Sequence, residues 1–248
     1  MIESKQNPRV KYWKKLHKKK YREEEQCFLV EGWHLVEEAI HSDWQIQELI
    51  ISNQVDYPSE WESEKIQLVS ENVLDEIAQT EASQGVIAVV QQHEIEHNQD
   101  FNRLLLIDQV QDPGNVGTII RSALAFGVDV VVLGKGTVDL FNDKVIRSTQ
   151  GAFFHLPVVR ADLNDWIHHC QAKNIKIYGT ALDQSAQALP NVTPLEKFAV
   201  IVGNEGDGVQ PKVLEQVDET LYIPIAKASE SLNVGIATSI VLYHFSFN

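Results

Sequence analysis

Three short apolar runs limit what this chain can fold into: Arg103–Asp108 (RLLLID), Val128–Leu133 (VDVVVL) and Phe198–Gly203 (FAVIVG). Each is apolar almost throughout, not at alternate positions. A strand with one wet face alternates. A strand that reads as a continuous run is buried on both faces, as in a parallel sheet with helices on either side. Helices are expected between and after the runs at Val116–Phe126, Asp143–Thr149 and Leu163–Ala172, with Phe153–Val158 extended and Ile175–Ala181 a further strand. Strands that alternate with helices make a parallel α/β sheet with right-handed crossovers.

The first 90 or so residues carry a second, smaller α/β pattern. Residues 7–21 read as one helix, capped by Asn7 and opened by Pro8, with Val10, Trp13 and Leu16 facing inward. Strands follow at Cys27–Val30, Ile46–Ile51, Ile66–Val69 and Gly85–Val90, with helices through Leu35–Ile40 and over Asn72–Gln79. Residues 93–102 are polar and aperiodic, and they divide the chain into 1–92, a linker, and 103–248. His93 and His97 stand four apart there, with no third ligand candidate nearby, so no metal site is expected.

No apolar run approaches the roughly 18–20 residues that span a bilayer, and the basic N-terminus lacks the apolar stretch of a secretory signal. Cys27 and Cys170 are too few for a disulfide framework or a zinc site, which points to a reducing, cytoplasmic compartment. The net charge is −14, but residues 1–22 hold nine of the 21 basic side chains and one acid. An acidic body argues against non-specific nucleic-acid binding over the whole surface. A basic head interleaved with Tyr12, Trp13, His17 and Tyr21 is suited to local contact with RNA phosphates and bases, and equally describes a solvated lysine-rich helix.

Three loops that follow strands in the larger domain have unusual polar content. Loops at the carboxyl ends of parallel strands tend to share one site. Asp112-Pro113-Gly114-Asn115-Val116-Gly117 leads into Arg121, a cation among Ile119, Ile120, Ala123 and Leu124 that calls for an anionic partner. Gly203-Asn204-Glu205-Gly206-Asp207-Gly208 has three glycines in six residues, which permits close backbone approach to a ligand, while its acids disfavour a phosphate cradle. Ser229-Glu230-Ser231-Leu232-Asn233 precedes the last apolar helix and can cap it, line a site, or both. No Gly-x-Gly-x-x-Gly follows the first strand, as a nicotinamide-dependent oxidoreductase requires. The residues alone reach a polar cofactor site in a parallel α/β domain acting on an anionic substrate.

Taken together, Asn115-x-Gly117-x-x-x-Arg121, Ile201-Val202-Gly203-Asn204-Glu205-Gly206-x-Gly208 and Ile223-Pro224…Glu230-Ser231-Leu232-Asn233-Val234 resemble, in order and spacing, the three signature motifs of the SpoU (TrmH-like) branch of SPOUT RNA methyltransferases. Lys144, Arg147, Ser148, Gly151 and Ala152 resemble the family's intermotif segment. Asn7-Pro8…Lys11, Phe28–Gly32 and Gln84–Ala88 resemble the small ribosomal-protein-like substrate-binding domain of many members. Two departures are Gly235, where many relatives have Ser or Ala, and Ala226–Ala228, where a glycine is common.

The resemblance implies a C-terminal trefoil knot, a homodimer through the larger domain, no metal, and transfer of methyl from S-adenosylmethionine to an RNA ribose 2′-OH. Ribosomal RNA is favoured over transfer RNA because a separate N-terminal domain is present. A non-catalytic RNA-binding or ribosome-assembly factor on the same fold is the alternative. Arg121, Asn115, Glu205, Ser231 and Asn233 take the catalytic positions, with Arg121 orienting a phosphate or acting as base, and Glu205 pairing with Arg121 or fixing its own loop. Thr180, Ala181, Leu182, Val202, Gly203, Asn204, Gly208, Ile223 and Leu232 take the cofactor positions. Lys11, Lys14, Lys15, Lys18, Arg22 and Arg147 are the RNA-contact candidates.

Overall fold

The computed structural model describes residues 1–93, 100–183 and 185–247. It divides into two compact units, Met1–Glu94 with Asp139–Phe154, and Ile95–Val138 with His155–Asn248. His97 and most of the 93–102 linker lie outside the described residues.

The first unit begins with α1 (Pro8–Lys15) and α2 (Lys19–Glu25), where the sequence reads as one helix. Asn7 caps α1 as expected, its side chain accepting from the Arg9 N–H at 2.9 Å. The break falls at 16–18 because a buried cation serves the carbonyls left open there: Arg22 Nη1 donates to Leu16 O at 3.0 Å and His17 O at 2.8 Å. Next come β1 (Cys27–Glu31), α3 (Trp33–Ile40), β2 (Ile46–Ser52), β3 (Ile66–Val69), α4 (Glu71–Ile77) and β4 (Val86–Gln91). The sheet order is β1-β4-β2-β3, antiparallel except for the β2–β3 pair. Val10, Trp13 and Leu16 enter the core beneath it. Trp13 Nε1 donates to the buried Glu48 at 2.8 Å, and Arg9 pairs with the same carboxylate, so Glu48 is not buried as a bare charge.

The second unit runs β5 (Arg103–Ile107), α5 (Pro113–Ala125) and β6 (Val130–Leu133). The chain then supplies 139–154, including α6 (Asp143–Thr149), to the first unit, although its sequence reads with the larger domain. Aromatic packing holds it there: the Phe141 ring lies 4.4 Å from Phe28, and Phe153 and Phe154 lie 5.6 and 5.5 Å from Trp44. Residues 152–154 form a single 3-10 turn where an extended segment is expected, and the strand there is displaced to β7 (Val158–Arg160).

Back in the second unit come α7 (Leu163–Ala172), β8 (Lys176–Thr180), β9 (Gln187–Ala188), β10 (Phe198–Val202), α8 (Pro211–Leu214), β11 (Glu219–Tyr222) and α9 (Val234–Phe247). All seven strands are parallel, in the order β7-β6-β5-β10-β8-β11-β9. The short β9 and α8 have no clear sequence signal. Leu104–Ile107, Val130–Val132 and Phe198–Ile201 are all 0% exposed. Burying each Val, Leu, Ile or Phe side chain among them contributes about 1.5–3 kcal/mol, which is the physical basis of the continuous apolar runs.

Candidate active site

Helix α5 starts three residues earlier than its apolar pattern implies. Asp112 is its N-cap: the carboxylate accepts from the Asn115 N–H at 2.8 Å, and Pro113 takes the first turn. That frees the Asn115 amide for another task. Its Nδ2 donates to Glu205 Oε1 at 2.9 Å, and its Oδ1 accepts from Asn233 Nδ2 at 2.7 Å. Asn233 in turn caps α9, its Oδ1 accepting from the N–H groups of Gly235 at 2.9 Å and Ile236 at 3.2 Å. One chain of hydrogen bonds, Glu205–Asn115–Asn233, therefore joins all three polar loops. The capping of α9 and the assembly of the site use the same amide.

Glu205 ties its loop to the start of α5 and makes no ion pair with Arg121 among the described residues. It also accepts from the Asp112 N–H at 3.2 Å. Partial burial works to raise its pKa. The bonds from Asn115 and from the backbone N–H groups of Glu205, Asp112 and Gln111 outweigh that and hold it below the usual glutamate value. A depressed folded-state pKa means the relay is intact at neutral pH and is lost only as pH falls through that value.

The glycine loop is tied down at both feet. Asn204 and Gly208 exchange N–H···O bonds of 3.0 Å, closing the loop on itself. Asn204 Nδ2 donates to Gln109 O at 2.9 Å. At the other foot Gln210 donates its N–H and Nε2 to the two oxygens of Asp108, at 2.8 and 2.7 Å. Asp108 is 1% exposed and was not among the expected site residues. Its only sequence signal is an acid ending a fully apolar strand.

A cavity of about 710 Å3 opens between these loops. Of the expected cofactor residues, Thr180, Ala181, Leu182, Gly203, Asn204, Gly208, Ile223 and Leu232 line it, joined by Glu205, Ser231 and Asn233. Val202 is buried in β10 and does not. Asp183, Val209, Leu221, Tyr222 and Ala237 also line it, without a prior polar or glycine signal to mark most of them. The lining mixes apolar side chains with glycine backbone, which suits a nucleoside better than a phosphate. Asn115 stands outside the lining and is tied to it through Glu205 and Asn233. Arg121 lies further along α5, exposed, with no hydrogen bond or ion pair among the described residues. The anion it calls for is not supplied by this chain's described residues.

Helix α9 packs on α5, and at Gly235 it leaves little room beside Thr118. A Cβ there would stand 3.0 Å from Thr118 Cγ2 and 3.2 Å from Asn233 Oδ1. In this chain Thr118 occupies the room that Ser or Ala would take. Ser122 and Ser239 hydroxyls, 2.7 Å apart, continue the helix contact.

The RNA-contact candidates belong to the first unit. Lys11, Lys14, Lys15 and Lys18 are exposed. Arg22 is removed from the set: it is 6% exposed, and besides its two carbonyl bonds it pairs with Asp139 at 2.6 Å. Arg147 is engaged by Asp143 one turn away, at 2.8 Å.

Comparison with known proteins places these observations. Residues 102–243 match the model of the SpoU rRNA Methylase family, and residues 7–88 match an MRM3-like substrate binding domain. The chain is 46% identical to the 23S rRNA (guanosine(2553)-2′-O)-methyltransferase RlmP of Bacillus subtilis, over 98% of each chain. Among solved structures it resembles an AdoMet-bound rRNA methyltransferase from Sinorhizobium meliloti, with TM-score 0.88, 30% identity, and 98% and 96% of the two chains covered. It also resembles the SpoU methyltransferase AviRb from Streptomyces viridochromogenes in complex with AdoMet, with TM-score 0.86, 26% identity and 97% of each chain covered.

Proposed function

The chain belongs to the SpoU rRNA methylase family, and on that premise we propose that it transfers the methyl group of S-adenosylmethionine to a ribose 2′-OH of 23S rRNA. The observation that carries this is the three-loop relay: Glu205 and Asn233 line a cavity fit for a nucleoside, and Asn115 binds both from the helix that bears Arg121. A ribose hydroxyl is a poor nucleophile, so much of the gain must come from in-line placement. Arg121 stays charged at any working pH and suits a phosphate better than a proton, so its role is to hold the phosphate beside the target ribose. Ser231 and Asn115 position Arg121 or the ribose. S-adenosylmethionine would supply the methyl group, and Gly203, Asn204, Gly208, Ile223 and Leu232, with Thr180–Leu182, would hold it.

The division of labour follows. Residues 1–92 bind RNA, 93–102 connect, and 103–248, apart from the 139–154 segment that packs with the first unit, carry the chemistry in the cytoplasm. No helix among the described residues is long and apolar enough to cross a membrane. The family resemblance carries the proposal of a trefoil knot, and the strand order brings the tail back across the sheet. From β11 the chain must pass the ends of β8 and β10 to bring α9 onto α5, which follows β5. A chain trace in which the tail reaches α5 without threading through another loop would exclude it. An apolar stripe supports a homodimer: Ile236, Ile240, Tyr243 and Phe247 recur along one exposed face of α9, and Leu124 of α5 is also exposed. Sedimentation giving a monomer at micromolar concentration would remove the dimer.

The test of function is calorimetry with S-adenosylmethionine, followed by mapping of 2′-O-methylation in rRNA and tRNA from cells with and without the protein. A 23S rRNA guanosine that loses its methyl group is the expected result, given the activity of the Bacillus subtilis relative. No cofactor binding, or an unchanged methylation map, would overturn the reading.

A further inference from the structure

Most of this protein repels a polyanion. With a net charge of −14 it can hold RNA only where cations are gathered. The first unit gathers them in one place. Lys5, Lys11, Lys14, Lys15 and Lys18, with Tyr21, line an open groove of about 450 Å3. Three of them come from α1, Lys18 stands just before α2, and Lys5 comes from the strand-free N-terminal segment. The groove contains a single acid, Glu76 of α4.

Glu76 divides the five ammoniums into two classes. It pairs with Lys14 and, at 3.1 Å, with Lys5. Hydrogen bonds from Lys14 first and Lys5 second hold its carboxyl below the usual glutamate range, so it keeps its charge at neutral pH. Lys11, Lys15 and Lys18 have no ion pair among the described residues. The Lys15 ammonium lies 5.4 Å from the centre of the Tyr21 ring. Flexible single-point cations suit irregularly spaced phosphates, and a partly exposed ring beside them offers a face for a base.

We propose that this groove is a docking track for the phosphate backbone of the RNA substrate, and that Glu76 attenuates it by occupying two of its five cations. The proposal rests on the RNA reading above, and it adds Lys5 to the contacts and the one side chain that restrains them. An attenuated track fits an enzyme that must release a long polyanion after each transfer. Counterion release makes the consequence quantitative. Each phosphate contact adds about 0.7 to the slope of log affinity against log salt for single-stranded RNA. Three free lysines account for about two units of slope in the wild type, and freeing two more would add about 1.4.

The experiment measures binding of the full chain to in vitro transcribed, unmodified 23S rRNA as a function of salt. The triple variant Lys11→Gln/Lys15→Gln/Lys18→Gln should lose about two units of slope, and affinity by roughly some tens of fold at physiological salt. Glu76→Gln should move the other way, gaining about 1.4 units and roughly tenfold in affinity. Both should bind S-adenosylmethionine as the wild type does, and in turnover the change should fall on KM for RNA, not on kcat. Because the two variants move in opposite directions, loss of fold cannot mimic the pair. If the wild type binds rRNA and all three proteins share one slope, the groove is not the track. Equal slope changes with polyglutamate would make it a site for acidic protein, which also overturns the proposal. If the wild type binds no rRNA, the RNA reading itself fails.

Discussion

Replacing Arg121 with alanine is expected to abolish methyl transfer while leaving both the fold and the affinity for S-adenosylmethionine close to wild type. Arg121 is exposed on α5 and has no partner among the described residues. Arginine and alanine are both good helix formers, and surface substitutions away from special features usually change stability by no more than about 0.5 kcal/mol. Arg121 is also outside the lining of the cofactor cavity. A guanidinium with no structural task, one to two turns beyond the relay residue Asn115, is free for a ligand. Losing a group that places a reacting substrate costs about a hundredfold or more. Single-turnover methyl transfer, with calorimetry on the same protein, separates the effects. Arg121→Lys keeps the charge but loses the planar fork, and should recover only part of the rate. Wild-type-like turnover in Arg121→Ala would remove this residue from the mechanism.

How far the sequence reached depended on how local the cause was. The three apolar runs stand for strands buried on both faces, and β5, β6 and β10 occupy those positions. Asn7 and Pro8 announce α1 because capping is decided within one turn. The same local reading stretched α1 too far, because Arg22, six residues beyond Leu16, supplies the hydrogen bonds that let the helix stop. It placed the start of α5 at Val116 because an apolar pattern cannot register a Pro-Gly first turn capped by Asp112. Residues 139–154 read with their sequence neighbours, whereas their aromatic rings pack on Phe28 and Trp44, over a hundred positions distant in sequence. The three polar loops were legible as unusual segments. That they share one site follows from their place at the carboxyl ends of parallel strands, but the side chains that join them are not legible, since the Glu205–Asn115–Asn233 chain exists only once β5, β10 and β11 are assembled in one sheet. Asp108 carries little local signal for the same reason: its partner, Gln210, is brought to it by the sheet.

Glycine 203 carries the other large effect. Gly203→Ala is expected to lose measurable S-adenosylmethionine binding and about 1–3 kcal/mol of stability, the usual cost of forcing a methyl group into filled space. A Cβ on Gly203 would stand 2.0 Å from the Gly208 carbonyl carbon, 2.1 Å from Val209 N and 2.3 Å from Gly208 O. These are backbone atoms, so no rotamer change relieves the clash. Nor can that backbone withdraw cheaply. It is held by the paired Asn204–Gly208 hydrogen bonds, by Val209 packed in the core, and by Gln210 bound through two hydrogen bonds to Asp108. The loop must open, and with it goes the wall of the cavity and the seat of Glu205. Gly206 is the internal control. A Cβ there meets nothing nearer than Asn204 Oδ1 at 3.5 Å, so Gly206→Ala should bind cofactor nearly as the wild type does. Calorimetry and thermal unfolding on the two variants decide the matter. A Gly203→Ala protein with wild-type cofactor affinity would mean that the closed loop between β10 and α8 is not part of the cofactor site.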